Sequence, residues 1–410
     1  MSAFIEATMH SLAIPACQSH PPSQEIEDLQ STPKILSDLQ SLFALISKET
    51  TALSLAFAPP KESWDAVEGQ ITKLTDLVGK IHYVLGLWRF ANSPSGLQQD
   101  TESLLVKEWR LGTLYTIESL KDLIDSFHST YMSLEPAQGI NIQQRKKFLT
   151  LTSLIWKAVE KTVELPKNEN EAFVKIWKGM LDTLQDAMEE VQQLIKREQK
   201  GKGRVEEQDR EHFEEGSNQG DDDYFDIGES DDEGPLDEAG LEVAVAALQL
   251  MKLVRALYKR IATESSSKAG STLATFHFVS MHRAGQALLS AQDDLASSLY
   301  SPQSRGDIAQ HARDYREIAQ KLVHAAKSAN DSLLVKEGEL EGQLSNLSLV
   351  YGQTQPHEDR PGQEVSDATK TDRNTANERI VKVMAWYEAC GKQIDRAAMA
   401  LLEKCEGPNR

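Results

Sequence analysis

An all-α fold, arranged as two antiparallel helical bundles joined by an acidic linker, is what this sequence predicts. Three observations carry the prediction. Apolar residues recur at three- and four-residue spacing through nine segments, with Pro, Gly and Asn marking the gaps between them. The alternation that marks half-buried strands is essentially absent. At 410 residues the chain exceeds one ordinary core, and a charge-dense window divides it. The expected order is a disordered tail over residues 1–30, a five-helix bundle over 31–200, the linker over 201–235, and a four-helix bundle over 236–406 with a mobile loop at 351–372.

The tail contains "SHPPSQE" and little periodicity. The first helix follows from "STPKILSDLQSLFALISKETTALSLAFAPP": Ser31 or Thr32 caps it, Pro33 suits its first position, and Pro59-Pro60 closes it. Ile35, Leu36, Leu39, Leu42, Phe43, Ile46 and Leu53 form its apolar face. Further helices are predicted at about Ser63–Ala91, Leu97–Ser133, Ile142–Leu165 and Asn168–Lys200. Their breaks are "NSPSG", "EPAQGIN" and "LPKNEN".

A single amphipathic helix does not bury enough apolar surface to offset the entropy of ordering it. Several faces must therefore share a core, and short joints make antiparallel neighbours the natural arrangement. The second set is predicted at Leu236–Glu264, Thr272–Tyr300, Asp307–Leu349, with a break at Gly338 left open, and Asn374–Glu406. The apolar face of the last helix reads Ile380, Val383, Met384, Tyr387, Ile394, Ala398 and Leu401. The loop before it is "YGQTQPHEDRPGQEVSDATKTD".

The formal charge is -19, and residues Val205 to Glu238 alone carry -15 of it, with Arg210 as their one base. The acidity thus belongs to a segment, and nothing favours direct nucleic-acid binding, which needs a basic face. Cys17, Cys390 and Cys405 have no regular spacing, so neither a disulfide framework nor a zinc site is indicated, and a reducing compartment fits. The first basic residue is Lys34, unlike a secretory signal, and no uncharged apolar run approaches the ~18–20 residues of a membrane span. The reading is a soluble intracellular protein.

No catalytic or ligand-binding constellation stands out. The run "DDDYFDIGESDDEGPLDEAGL" departs from the EF-hand pattern, with Phe225 in the third ligand place after Asp221 and Asp223. His277 and His282 are five apart and share no helix face, and Asp293 and Asp294 point roughly 100° apart on a helix. No phosphate-loop, dinucleotide or nucleophile-elbow pattern occurs, so neither enzyme activity nor a cofactor is expected. Most of Trp64, Trp88, Trp109, Trp156, Trp177 and Trp386 are expected in cores; one left exposed would suit a partner anchor. The basic run Lys196, Arg197, Lys200, Lys202 and Arg204 complements a helix C-terminus.

Low hydrophobicity and like charge make residues 205–234 a disordered, extended tether. Within it "SDDE", starting at Ser230, fits an acid-directed serine kinase, so Ser230 is the candidate phosphoacceptor.

Several segments together resemble the cyclin-D-binding protein family, also called GCIP. They are "ISKETTALSLAF", "SLIWKAVEKTVELPKNENEAFVKIW", the acidic stretch entering "LEVAVAALQLMKLVRALYKRI", and "DDLASSLYSPQ". They occur in the family's order, and the arrangement of Trp156, Ala158, Leu165, Pro166 and Asn168 is the most specific; those five residues are expected to be structural. The resemblance implies helical bundles similar to those of talin and vinculin, coiled-coil-like in their packing. It implies a non-enzymatic inhibitor of cell-cycle progression that binds D-type cyclins and helix-loop-helix transcription regulators, in cytoplasm and nucleus. A homodimer is left open. Two other readings stand beside it: a cytoskeletal adaptor of the talin and vinculin kind, and an acidic chaperone for basic proteins such as histones.

Overall fold

The computed structural model of the chain describes residues 32–56, 64–91, 102–133, 140–208, 236–267, 273–351 and 366–407. The N-terminal tail, most of the acidic stretch with Ser230, and Cys17 lie outside the described residues. The helices, in chain order, are α1 (Thr32–Ala56), α2 (Trp64–Ala91), α3 (Leu104–Ser133), α4 (Ile142–Val163), α5 (Glu169–Gln208), α6 (Glu238–Ser265), α7 (Thr275–Ser297), α8 (Arg305–Tyr351) and α9 (Ser366–Glu406). Among the described residues there is no strand.

The chain divides into two compact units, residues 1–175 and 176–410. In the first, α1 packs on α2 and α4, and α3 packs on α4 and α2, which closes a ring of four helices. Its core holds Leu39, Phe43 and Ile46 of α1, Trp88 of α2, and Trp109, Ile117 and Leu120 of α3. The two indoles meet edge to face with centroids 6.4 Å apart, the arrangement their quadrupoles favour.

In the second unit α6 packs on α9, α9 on α8, and α8 on α7. The body of α5 completes this group. Trp177 of α5 stacks on Tyr258 of α6 at 4.6 Å, and its Nε1 donates to the Tyr258 carbonyl at 3.0 Å. On the other side α5 approaches α7 so closely that a Cβ at Gly285 would sit 2.8 Å from the Trp177 ring and from Met180 Cε. Gln292 of α7 donates to the carbonyl of Leu184 at 3.0 Å and accepts from Tyr315 of α8 at 2.8 Å. These buried polar groups are thus satisfied by one another, as burial requires.

Two bundles are therefore present, but α5 is shared out differently from the expectation. Only its first turns belong to the first unit, and the rest belongs to the second. The reason is packing: the apolar stripe at Trp177, Met180, Leu184, Met188 and Val191 is buried, and its contacts come from α6 and α7.

Several boundaries also move. Helix α3 starts at Leu104, where a cap stands: beside Ser103 the Glu169 carboxylate accepts from Leu104 N at 2.7 Å and Leu105 N at 3.2 Å, and residues 97–101 of the expected helix lie outside the described residues. Helix α5 continues to Gln208, so the first residues of the expected linker are helical. Helix α8 is continuous through Gly338; one glycine costs a helix interior only about 1 kcal/mol. Helix α9 begins at Ser366, inside the expected 351–372 loop, and residues 352–365 lie outside the described residues. No Pro or Gly interrupts the helix until Gly391.

Candidate functional site: the exposed face of α1 and α4

Helix α4 begins with a reciprocal cap: Asn141 Oδ1 accepts from Gln144 N, and Gln144 Oε1 accepts from Asn141 N, both at 2.9 Å. It ends at the corner formed by Glu164 to Asn168, where the sequence-singled residues gather. Ala158 is buried on the inner side of α4, and Leu165 is buried over Gly112 of α3. The Pro166 carbonyl accepts from Trp109 Nε1 at 2.8 Å. Asn168 Oδ1 accepts from Glu171 N at 2.9 Å, while Glu171 Oε2 accepts from Lys167 N at 2.8 Å, so α5 starts with a cap of its own. Ser103 Oγ donates to Glu169 at 2.5 Å. These residues tie α3, α4 and the start of α5 together.

Trp156 differs from the other four. It is 43% exposed although its Nε1 donates to Thr51 Oγ1 of α1 at 3.1 Å. Trp88, Trp109 and Trp177 are fully buried, and Trp386 is half-buried under the Arg260 guanidinium. Among the described indoles, the one that reaches solvent most clearly thus lies on α4, and the Trp64 side chain lies outside the described residues.

It is not alone there. Ile142, Leu149, Trp156 and Val163 recur every seven residues, and they are 74%, 61%, 43% and 66% exposed. Seven residues fall just short of two helical turns, so these side chains form one nearly straight apolar stripe. A separate face, with Phe148, Thr152, Ile155, Ala158 and Thr162, is buried. Helix α4 is apolar on two faces and has one core to fill.

Helix α1 borders the stripe. Ser54 Oγ lies 2.5 Å from Thr152 Oγ1, and Thr51 meets Trp156; rising numbers on one helix against falling numbers on the other make the pair antiparallel. That register brings Leu55, itself 66% exposed, to the level of Leu149 through Thr152. On the opposite flank stand Lys146, Lys157 and Lys161, and Lys161 Nζ lies 5.1 Å from the Tyr115 ring centroid of α3. Helix α4 carries Arg145, Lys146, Lys147, Lys157 and Lys161 against one acid, Glu160. An apolar stripe with a cationic border is therefore exposed on a chain whose net charge is -19.

Other surfaces offer less. An open groove of about 850 Å³ lies between α1 and α2, lined by Asp38, Leu42, Thr75, Asp76, Lys80 and Tyr83. Lys80 and Asp76 pair with each other at 2.7 Å. A smaller groove of about 550 Å³ in the second unit includes Phe276, His277, Glu317 and His324. His277 is buried, its ring tilted against that of Phe276 with centroids 3.8 Å apart, and His282 is buried too. Asp293 and Asp294 are exposed on α7; partial burial, then the Asp294 charge, raises the Asp293 pKa. Cys390 and Cys405 are free and buried, and burial pushes the Cys390 thiol up to about 11. Among the described residues no three His, Cys, Asp or Glu side chains gather as a metal site would require. No described helix is long and apolar enough to cross a membrane.

The arrangement is thus suited to contact with a partner. The sequence reading singled out Trp156, as a tryptophan and through the family resemblance, but missed Ile142, Leu149 and Val163. The signal is visible afterwards as a second apolar phase in one helix, superposed on the phase that fills the core.

Comparison with known proteins covers the first two segments singled out in the sequence. Residues 38–197 match the family described as Grap2 and cyclin-D-interacting, N-terminal. The chain is similar to Cyclin-D1-binding protein 1 homolog of Xenopus laevis, at 25% identity over 295 residues, covering 69% of this chain and 77% of that protein. It is similar also to Cyclin-D1-binding protein 1 homolog of Danio rerio, at 25% identity over 285 residues, covering 70% and 75%. Through the match at residues 38–197 and these two relatives, the chain is similar to the cyclin-D-binding protein family.

Proposed function

We propose that this protein is a non-enzymatic interaction regulator whose partner is a D-type cyclin. The observation that carries the reading is the family match at residues 38–197, which includes most of α1, all of α4 and the exposed stripe between them. A bundle presenting an uncovered apolar face with an anchoring aromatic is physically equipped for stoichiometric association. The regulator restrains cell-cycle progression by occupying its partner, acts in cytoplasm and nucleus, and takes helix-loop-helix regulators as further partners. Phosphate on Ser230 deepens the negative charge of the acidic stretch and tunes which basic proteins approach it.

Titration calorimetry of the purified chain with a purified D-type cyclin tests this directly. A saturable heat with a one-to-one endpoint, and no turnover of either protein, is the expected result. Cyclin that gives no saturable signal under conditions where the chain is folded sinks the reading.

A further inference from the structure

We propose that the α1–α4 face receives an acidic amphipathic helix of a partner protein. This inference rests on the reading of the chain as an interaction protein and names the kind of element it takes. The stripe Ile142, Leu149, Trp156 and Val163 has the seven-residue repeat that a second helix matches with its own apolar seam. Leu55 of α1 widens the apolar strip at the level of Leu149, so the surface is a shallow trough between two antiparallel helices. Trp156 is oriented by its bond to Thr51, which leaves one exposed ring at the centre of the trough.

Charge selects the occupant. Lys146, Lys157 and Lys161 line the flank away from α1, with Glu160 as the one acid of α4. Among the described residues none of these three lysines pairs with a carboxylate. A basic helix would meet like charge towards both ends of the stripe, whereas one bordered by Asp and Glu gains complementary contacts there, about three turns apart. The same lysines steer encounter, so salt should slow association more than it speeds dissociation.

The test uses the full chain and two fluorescein-labelled amphipathic peptides of about 20 residues, alike in their heptad Leu seam. One carries Glu at the flanking positions, the other Lys. Anisotropy should rise saturably with the Glu peptide and not with the Lys peptide, and weaken as salt is raised. Leu149→Asp with Val163→Asp should weaken binding at least about tenfold, and so should Lys146→Glu with Lys157→Glu and Lys161→Glu. All five positions are solvent-exposed, and circular dichroism checks that the variants stay helical. Met399→Asp, on the second unit, should leave binding unchanged.

Equal binding of both peptides, no binding of either, or variants that bind like the parent would overturn the proposal. Deletion of residues 1–31 or 209–235 that raises Glu-peptide affinity about tenfold or more would assign the face to the chain's own acidic segments, against an outside partner. A concentration-dependent dimer abolished by Leu149→Asp with Val163→Asp would assign it to a second copy. Cyclin titration on the same preparations separates the two levels. Cyclin binding without peptide binding leaves the functional reading standing and removes this surface; peptide binding without cyclin binding does the reverse.

Discussion

Gly285 shows how one side chain's absence sets a helix distance. A Cβ there would come within 2.8 Å of both the Trp177 ring and Met180 Cε, so α5 and α7 approach through that position. The ring cannot retreat, being stacked on Tyr258 and bonded through its Nε1. Gly285→Ala should therefore destabilise the second unit by about 1–3 kcal/mol, the usual cost of overpacking. Chemical denaturation followed by tryptophan fluorescence measures it, and a neutral or stabilising result contradicts this packing. Cys390 gives a second residue-scale prediction. Burial holds its thiol at about 11 against an ordinary value of 9.0. In a Cys17→Ser variant, thiol reagent at pH near 9 should label little until denaturant is added, because the thiolate is the nucleophile. Fast native labelling at the rate of a free thiol contradicts it. Position alone did not announce either behaviour: the spacing of Cys390 in the sequence is uninformative, and its inertness follows from neighbours on other helices.

Helix ends were the elements' least legible feature, and the start of α3 explains why. Its N-terminal amides are satisfied by Ser103 and by Glu169, a residue more than sixty positions away. Local propensity cannot report a cap supplied from another helix. Glu169→Ala should cost the first unit about 1–3 kcal/mol, since charge-assisted bonds to helix-terminal amides are lost and the amides stay part-buried. Thermal melting of the variant checks this, and an unchanged midpoint contradicts it. Where caps are local, the sequence reading came within a residue or two: Asn141 before α4, Asn168 before α5 and Asp237 before α6 each accept from an amide three residues on. The face of α4 was half-legible for a related reason. Its buried set and its exposed stripe are both apolar, and periodicity alone does not say which one the core takes.

At the scale of the molecule, pH should act unequally on the two units. Tyr258, Tyr315 and Tyr387 lie in the second unit, and burial raises all three above their ordinary value of 10.0. Each keeps its proton when folded and loses it near pH 10 when unfolded, so their contribution is complete below that pH and declines as pH rises above it. Tyrosinate absorbance should lag until the second unit unfolds, and then rise together with loss of helical signal; ionisation preceding unfolding contradicts the burial. In the first unit burial lowers the His82 pKa below 6.5. The unfolded chain therefore binds the extra proton first, and stability falls as pH drops below about 6.5. A His82→Gln variant should show a flatter stability profile between pH 7 and 5, and a profile as steep as the parent's would remove His82 as the cause.

The all-α class, the two bundles and most helix positions were determined by the sequence itself, because caps, breakers and three-to-four spacing act between near neighbours. The likeness to the cyclin-D-binding protein family was legible in the same way, from ordered segments such as the one around Trp156 and Pro166. Tertiary structure alone decided that the body of α5 joins the second unit and that the stripe on α4 stays uncovered. Both are questions of which apolar face finds a partner, and burial is a relation between helices that no single helix encodes.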